Sequence, residues 1–300
     1  MKFEEFKKQI VDGLQEIYGD GTQIETGVAL RNNGSKYNGI NIFQKGPGRR
    51  TSPVIDLDGL YRSFEEGMLN IGDCVWDIYN KRAALGSSEE VEQLAKNLSY
   101  WERVKDDIYP ILLSTEENSE LLERIVSTPM LDLSIVYAIR GKIFGDTVSV
   151  KVSKELLKRY GISNEQLHRQ AMINMEKDGY EFLELEDLIK SMAPERVRSE
   201  ERDGEDKPEI YVLTNSAKSY GAAGILNKAL LQEFAGDRDF FILPSSINEM
   251  LFVPVDGEWS QDFYDGMVST VNRTQVDVEE RLTDHSYYYD AANSEIRMCA

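Results

Sequence analysis

The sequence predicts an α+β fold, with mixed or antiparallel sheets, packed helices and a helical middle segment, and three observations carry that prediction. Apolar residues recur every three or four positions in some stretches and every second position in others, so amphipathic helices and half-buried strands are both encoded. The strand-like stretches come in neighbouring pairs around turn residues, as in hairpins. The strict strand-helix-strand alternation of a doubly wound fold is absent.

Phe3, Phe6, Ile10, Leu14 and Ile17 form one apolar stripe on an N-terminal helix that Gly19 and Gly21 end. Ile24, Val28 and Leu30 then alternate with polar and small residues, Asn32-Asn33-Gly34 tolerates positive φ, and Ile40 and Ile42 resume the alternation, which predicts a hairpin. Lys45-Gly46-Pro47-Gly48-Arg49-Arg50 is the most basic short stretch and reads as a solvated loop. Residues 56–122 read as a helical insert, with stripes through Leu60, Phe64 and Met68, then Val75, Trp76 and Tyr79, then Val91, Leu94 and Leu98; Ser87 and Glu90 stand at capping-box spacing.

Residues 131–139 and 147–152 are rich in β-formers and flank Gly141 and Gly145-Asp146, a second hairpin. Ser163 and Gln166 cap a helix carrying Leu167, Ala171 and Met175. Residues 195–208 are almost wholly charged and read as a linker or loop. They separate an N-terminal α+β region, 1–194, from a C-terminal one, 209–300, which is either distinct from the first or continuous with it. The C-terminal region reads strand, helix, a strand pair FFILP and EMLFVPV, helix, and a closing hairpin turning at Ala292-Asn293.

A net charge of −19 opposes direct binding to a phosphate backbone or an anionic membrane surface, both of which call for clustered Lys and Arg. The charged N-terminus, MKFEEFKKQI, lacks the apolar core of a secretory signal, and no run approaches the roughly 20 apolar residues of a membrane span. These features predict a cytoplasmic protein. Cys74 and Cys299 offer neither zinc spacing nor a disulfide framework, and no metal or cofactor is expected.

Chemistry has few places to sit. The segment Val212 to Leu226 has a strand, a polar loop with Thr214, Asn215 and Ser216, and Gly221 and Gly224 opening a helix whose N-terminus could hold an anion; neither phosphate-loop nor dinucleotide pattern is matched. His168, beside Arg169 in a charged helix, reads as exposed, and His285 at a helix-to-strand junction reads as structural; neither lies in a hydrolase motif. Tyr287, Tyr288 and Tyr289 read as core plus edge cover. In the knot Pro244-Ser245-Ser246-Ile247-Asn248-Glu249, Pro244 ends a strand and Ser245, Ser246 and Asn248 hold a turn; the alternative has Ser245, Ser246, Asn248 and Glu249 converge with Thr214, Asn215, Gly221 and Gly224 on a small ligand.

The runs ILPSSINEMLFVP, VLTNSAKSYGAAGIL and VNRTQVDVEERLTDHSYYYD, with LDGLYRSFEEG and LDLSIVYAI upstream, resemble an uncharacterised bacterial domain-of-unknown-function family of about this length, with a more distant similarity to YtpQ-like proteins. The resemblance spans nearly the whole chain and implies one unified fold, with no activity attached. It also implies that His commonly stands where this chain has Asn248, a change that removes an acid or base. The expected function is that of a non-enzymatic protein-binding inhibitor or adaptor with an acidic surface, nucleic-acid mimicry being one form. The alternative is a sensor or enzyme for a phosphorylated metabolite or nucleotide, using the Gly221 and Pro244 loops.

Overall fold

The computed structural model describes residues 1–45, 54–86, 93–94, 96–143, 146–192, 209–257 and 260–298. The loop 46–50, the Ser87–Glu90 capping pair, the charged segment 195–208 and Cys299 lie outside the described residues. The chain forms two compact units, Met1–Tyr100 with Gly141–Val148, and Trp101–Arg140 with Ser149–Ala300.

In the first unit α1 (Phe3–Tyr18) leads into an antiparallel sheet of order β1 (Thr22–Leu30), β2 (Lys36–Gln44), β3 (Ile55–Asp56), followed by α2 (Asp58–Glu65) and α3 (Ile71–Gly86). Asn33 and Gly34 adopt φ of 54° and 66° between β1 and β2, the left-handed backbone that Asn and Gly tolerate best. Phe6, Ile10 and Leu14 of α1 pack with Ile40 and Ile42 of β2 and with Cys74, Val75 and Ile78 of α3. On α3 it is Ile78, not Trp76, that completes the buried stripe; Trp76 is 55% exposed.

The second unit opens with α4 (Trp101–Val104), β4 (Ile108–Ser114), α5 (Ser119–Leu122) and β5 (Ser127–Met130), and it holds most of β6 (Leu133–Ile143) and the last residues of β7 (Asp146–Lys151), the stretch Gly141–Val148 belonging to the first unit. These strands form a four-stranded sheet in which β6 pairs with β4, β5 and β7. The strand β4 corrects the expectation of helix through residue 122: IYPILLS is buried at every position, and an unbroken apolar run has no period to separate strand from helix. Its Pro110 is tolerated because β4 lies at the end of the strand order, pairing only with β6.

Helices α6 (Lys154–Tyr160) and α7 (Asn164–Met175) follow, and the Ser163–Gln166 capping box closes as expected, with Gln166 N donating to Ser163 Oγ at 3.2 Å and Ser163 N to Gln166 Oε1 at 2.9 Å. Then come β8 (Tyr180–Glu184), α8 (Leu185–Met192), β9 (Tyr211–Asn215), a 3-10 helix (Gly221–Leu226), α9 (Lys228–Ala235), β10 (Phe240–Ser246), β11 (Glu249–Pro254), α10 (Gln261–Gln275), a second 3-10 turn (Val278–Glu280), β12 (Tyr287–Asp290) and β13 (Glu295–Met298). The six strands pair antiparallel in the order β13-β12-β10-β11-β9-β8. Strands β8 and β9, which precede and follow residues 195–208 in the chain, are neighbours in this sheet, with Glu184 opposite Tyr211.

Both faces of this sheet are covered. Phe240 and Ile242 share one face with Phe252, Tyr287 and Tyr289, against Phe234 of α9. Phe241, Leu243 and Val253 on the other face pack with Tyr264 and Val268 of α10. Tyr287 and Tyr289 are thus core residues, while Tyr288 is only half-buried on the opposite face.

Asn174, 5% exposed, ties α7 to the chain entering β4 by donating through Nδ2 to the carbonyls of Lys105 at 2.6 Å and Ile108 at 2.9 Å. Asn174→Ala leaves both acceptors without that donor and should cost about 2–3 kcal/mol, read as a lower midpoint in urea unfolding with unchanged slope. A loss below about 0.5 kcal/mol would show that water replaces the amide.

Candidate functional site

Strand β10 ends where the two suspected loops meet. Its pairing with β11 shifts register between Pro244 and Ser246, so the strand runs on past Pro244 through a bulge, which corrects the expectation that Pro244 ends it. Ser246 Oγ accepts from Asn248 N at 3.0 Å, and Ser245 Oγ donates to Glu249 Oε1 at 3.1 Å, so local side chains do hold the turn.

Asn248 is the hub. Its Oδ1 accepts from Tyr220 N at 3.0 Å, its Nδ2 donates to Glu280 Oε1 at 3.2 Å, and its carbonyl accepts from Thr214 Oγ1 at 3.1 Å. The neighbouring Ile247 donates N–H to the Glu280 carbonyl at 2.8 Å and accepts from Ala222 N at 3.3 Å. Asn215 folds back on its own loop, donating to Ser219 O at 2.9 Å and accepting from Ser219 N at 3.3 Å. Gly221 is needed for the approach: a Cβ there would stand 2.5 Å from Asn248 O and 2.9 Å from Thr214 Cα. Gly224 is small for a related reason, facing Tyr180 and Leu213. Thr214, Gly221, Ser246 and Asn248 thus meet in one seam, whereas Asn215 bonds within its own loop, Ser245 and Glu249 bond each other, and Gly224 packs against Tyr180 and Leu213.

Beside the seam lies a second constellation. The Tyr220 ring stands 5.9 Å from Tyr109, and the Arg140 guanidinium covers Tyr109 at 4.5 Å while gripping Asp178 through two bonds of 2.9 and 3.3 Å. Burial pushes the Tyr109 phenol up to about 12 although its hydroxyl donates to Ser149 Oγ at 2.7 Å. Tyr180 is raised further by burial and by the charge of Asp178. Burial also lowers the Lys151 amine, against the opposing charge of Glu279.

The third constellation joins the two sheets. His285 Nε2 lies 2.9 Å from Asp132 Oδ2, its Nδ1 lies 3.1 Å from the Ser286 carbonyl, and Tyr287 donates its hydroxyl to Asp132 Oδ1 at 2.7 Å. Carboxylate and carbonyl oxygens only accept, so both ring contacts are hydrogen bonds together only when the imidazole carries two protons. Burial alone would lower the His285 pKa; the Ser286 carbonyl, the hydrogen bond and charge of Asp132, and the charge of Asp265 outweigh it and hold the pKa above its ordinary value. His168 differs from its expected exposure: it is half-buried and bonded through Nδ1 to the hydroxyl of the fully buried Tyr137 at 2.9 Å.

Comparison with known protein families matches residues 3–291 to a family of unknown function, DUF5688. The chain belongs to that family. No curated protein and no solved structure matches it. The match covers the seam, the Arg140–Asp178 pair and the His285–Asp132 pair alike. An imidazole in neutral form offers one acceptor and one donor, the same pair that Asn248 uses on Tyr220 and Glu280.

Sequence reasoning missed Tyr220, Glu280, Arg140, Asp178, Tyr109 and Asp132. Tyr220 sits at φ 56° and Leu131, next to Asp132, at φ 54°, but neither residue type announces a left-handed backbone. Among the described residues no group of three or more His, Cys, Asp or Glu is placed to hold a metal ion, and no helix is long and apolar enough to cross a membrane.

The raised folded-state pKa of His285 means that the Asp132 pair stabilises fully below the ordinary value of 6.5 and is lost as pH rises through the folded value. Wild-type stability should therefore fall as the pH is raised from 6.5 upward, and Asp132→Asn should flatten that slope while lowering stability at the acidic end. Denaturant midpoints across that range check it; parallel profiles for the two proteins would refute the pairing.

Proposed function

We propose that this protein is a non-enzymatic cytoplasmic binding protein, an inhibitor or adaptor that takes a basic protein partner on its acidic surface. One observation carries the reading. On α10 the side chains of Phe263, Met267 and Val271 remain 41%, 40% and 38% exposed, while Tyr264 and Val268 on the same helix are buried against the sheet. Their i, i+4, i+8 spacing places them in one row, and a regular apolar row on the solvent side of a helix is the form that partner recognition uses. The net charge of −19 over the whole chain supports a basic partner, steered by charge and anchored by apolar contact. A protein that ordinarily binds nucleic acid is one such partner, which keeps nucleic-acid mimicry within the proposal.

A second reading, a sensor or enzyme for a phosphorylated metabolite or nucleotide, draws on the meeting of the Gly221 and Pro244 loops at Asn248. A nucleotide that raises the melting temperature of the wild type and not of Asn248→Ala would favour it over the first.

The first reading predicts that tagged wild-type protein retains a stoichiometric partner from its native extract at low salt and releases it at high salt. The triple variant F263S/M267S/V271S should lose that partner while its Tm stays within about 3 °C of wild type. Equal retention by the variant, or retention of nothing by the wild type, would defeat it.

A further inference from the structure

We infer that His285 is a proton-operated switch on α10: loss of one ring proton turns its contact with the Ser286 carbonyl repulsive, and the disturbance passes through Ser286 to the bonds that hold Asp265. The helix α10 carries the row Phe263, Met267 and Val271, so the switch sets how firmly the partner's landing surface is held. That consequence rests on the binding-protein reading above.

Residues 283–286 form a strap with α10 on one side and the β5–β6 turn on the other. Asn272 of α10, 2% exposed, donates through Nδ2 to the Thr283 carbonyl at 2.9 Å and to Asp284 Oδ1 at 2.8 Å. Ser286, fully buried, donates twice to Asp265 Oδ1, from its N–H at 2.6 Å and from its hydroxyl at 2.7 Å. Between these anchors His285 reaches the other way, to Asp132. The turn that carries Asp132 is fixed by the pairing of Met130 with Leu133 and by Thr115 N, which donates to the Asp132 carbonyl at 3.1 Å. The His285 side chain is 30% exposed and that of Asp132 33%, so solvent protons reach the pair.

A neutral imidazole has one N–H for two acceptors. The Asp132 carboxylate is the stronger acceptor and keeps that proton on Nε2. Nδ1 then turns a lone pair on the Ser286 carbonyl 3.1 Å away, where two acceptors repel. Asp132 is pinned, so Ser286 gives way, and both of its donations to Asp265 go with it. The carboxylates of Asp132 on the turn and Asp265 on α10 favour the doubly protonated ring. Asp284 precedes the ring on the strap with its own carboxylate on Asn272, and the Tyr287 ring of β12 lies 5.1 Å away with its hydroxyl on Asp132.

The test follows the isotope-labelled histidine rings of the full chain by NMR across pH. Below the midpoint both His285 nitrogens should carry protons; above it the proton should stay on Nε2, and the amide resonances of Asp265 and Ser286 should shift with the same midpoint. Exchange of the Ser286 amide, corrected for its intrinsic rise with pH, should speed up by about tenfold through that midpoint. In H285Q, which keeps a donor for Asp132 and does not titrate, both changes should vanish. A neutral ring protonated on Nδ1 would overturn the switch from the wild type alone, and a step at Ser286 that persists in H285Q would overturn it too. In the partner retention assay at constant salt, the wild type should hold its partner about threefold better below the midpoint than above it, and H285Q should hold it equally at both. Equal pH dependence in the two proteins would place the titration on the partner and overturn the coupling. A wild type that retains nothing at either pH defeats the binding-protein reading and the coupling with it, and the ring measurements decide the switch by themselves.

Discussion

Burial of β10 on both faces is the constraint on which the C-terminal part of the fold depends. Six of its seven residues are buried, and consecutive side chains point to opposite faces, so apolar cover is required on two sides at once. The aromatic group of Phe234, Phe252, Tyr287 and Tyr289 supplies one side, and Tyr264 and Val268 of α10 supply the other. Each such side chain removed from water contributes about 1.5–3 kcal/mol, which fixes β10 in the interior of the sheet between β12 and β11. A strand of this composition at an edge would offer both an apolar surface and unpaired backbone to aggregation.

Fixing β10 also fixes where its polar end falls. Beyond Ser246 the chain turns at the junction of β9, the Gly221–Leu226 helix and the Val278–Glu280 turn, and its backbone groups need partners there. Asn248, Thr214 and Ser246 provide them, and Glu280 contributes both its carbonyl and its carboxylate. Residues with the look of a ligand site thereby also hold three elements together. Asp132 and His285 perform the same service where the β5–β6 turn meets β12, with a charge that depends on protonation.

Much of the fold was legible because its signals are local. The Asn33-Gly34 turn, the Ser163–Gln166 capping box and the β10–β11 pair each depend on residues within a few positions of one another. The strand β4 was not legible, since seven buried residues in a row carry no period. Nor was β8, whose five residues include an exposed Glu at each of positions 181 and 184 and which depends on β9 for its pairing. The seam was legible in part: Thr214, Asn248 and the glycines stood out by type, whereas Tyr220 and Glu280 gave no signal of their own. The His285–Asp132 pair spans 153 positions of sequence, and no periodicity connects residues so far apart.

The sequence by itself determined the α+β class, the N-terminal helix and hairpin, the pairing of 240–254 and the strongly acidic character, because backbone preference, hydrophobic period and formal charge are properties of short stretches or of composition. Tertiary structure alone decided that β8 and β9 are neighbouring strands, that Asn248 lies among Tyr220, Thr214 and Glu280, that His285 faces Asp132, and that the exposed row on α10 is Phe263, Met267 and Val271. Those outcomes rest on which surfaces bury which, and burial depends on partners that the local chain does not specify.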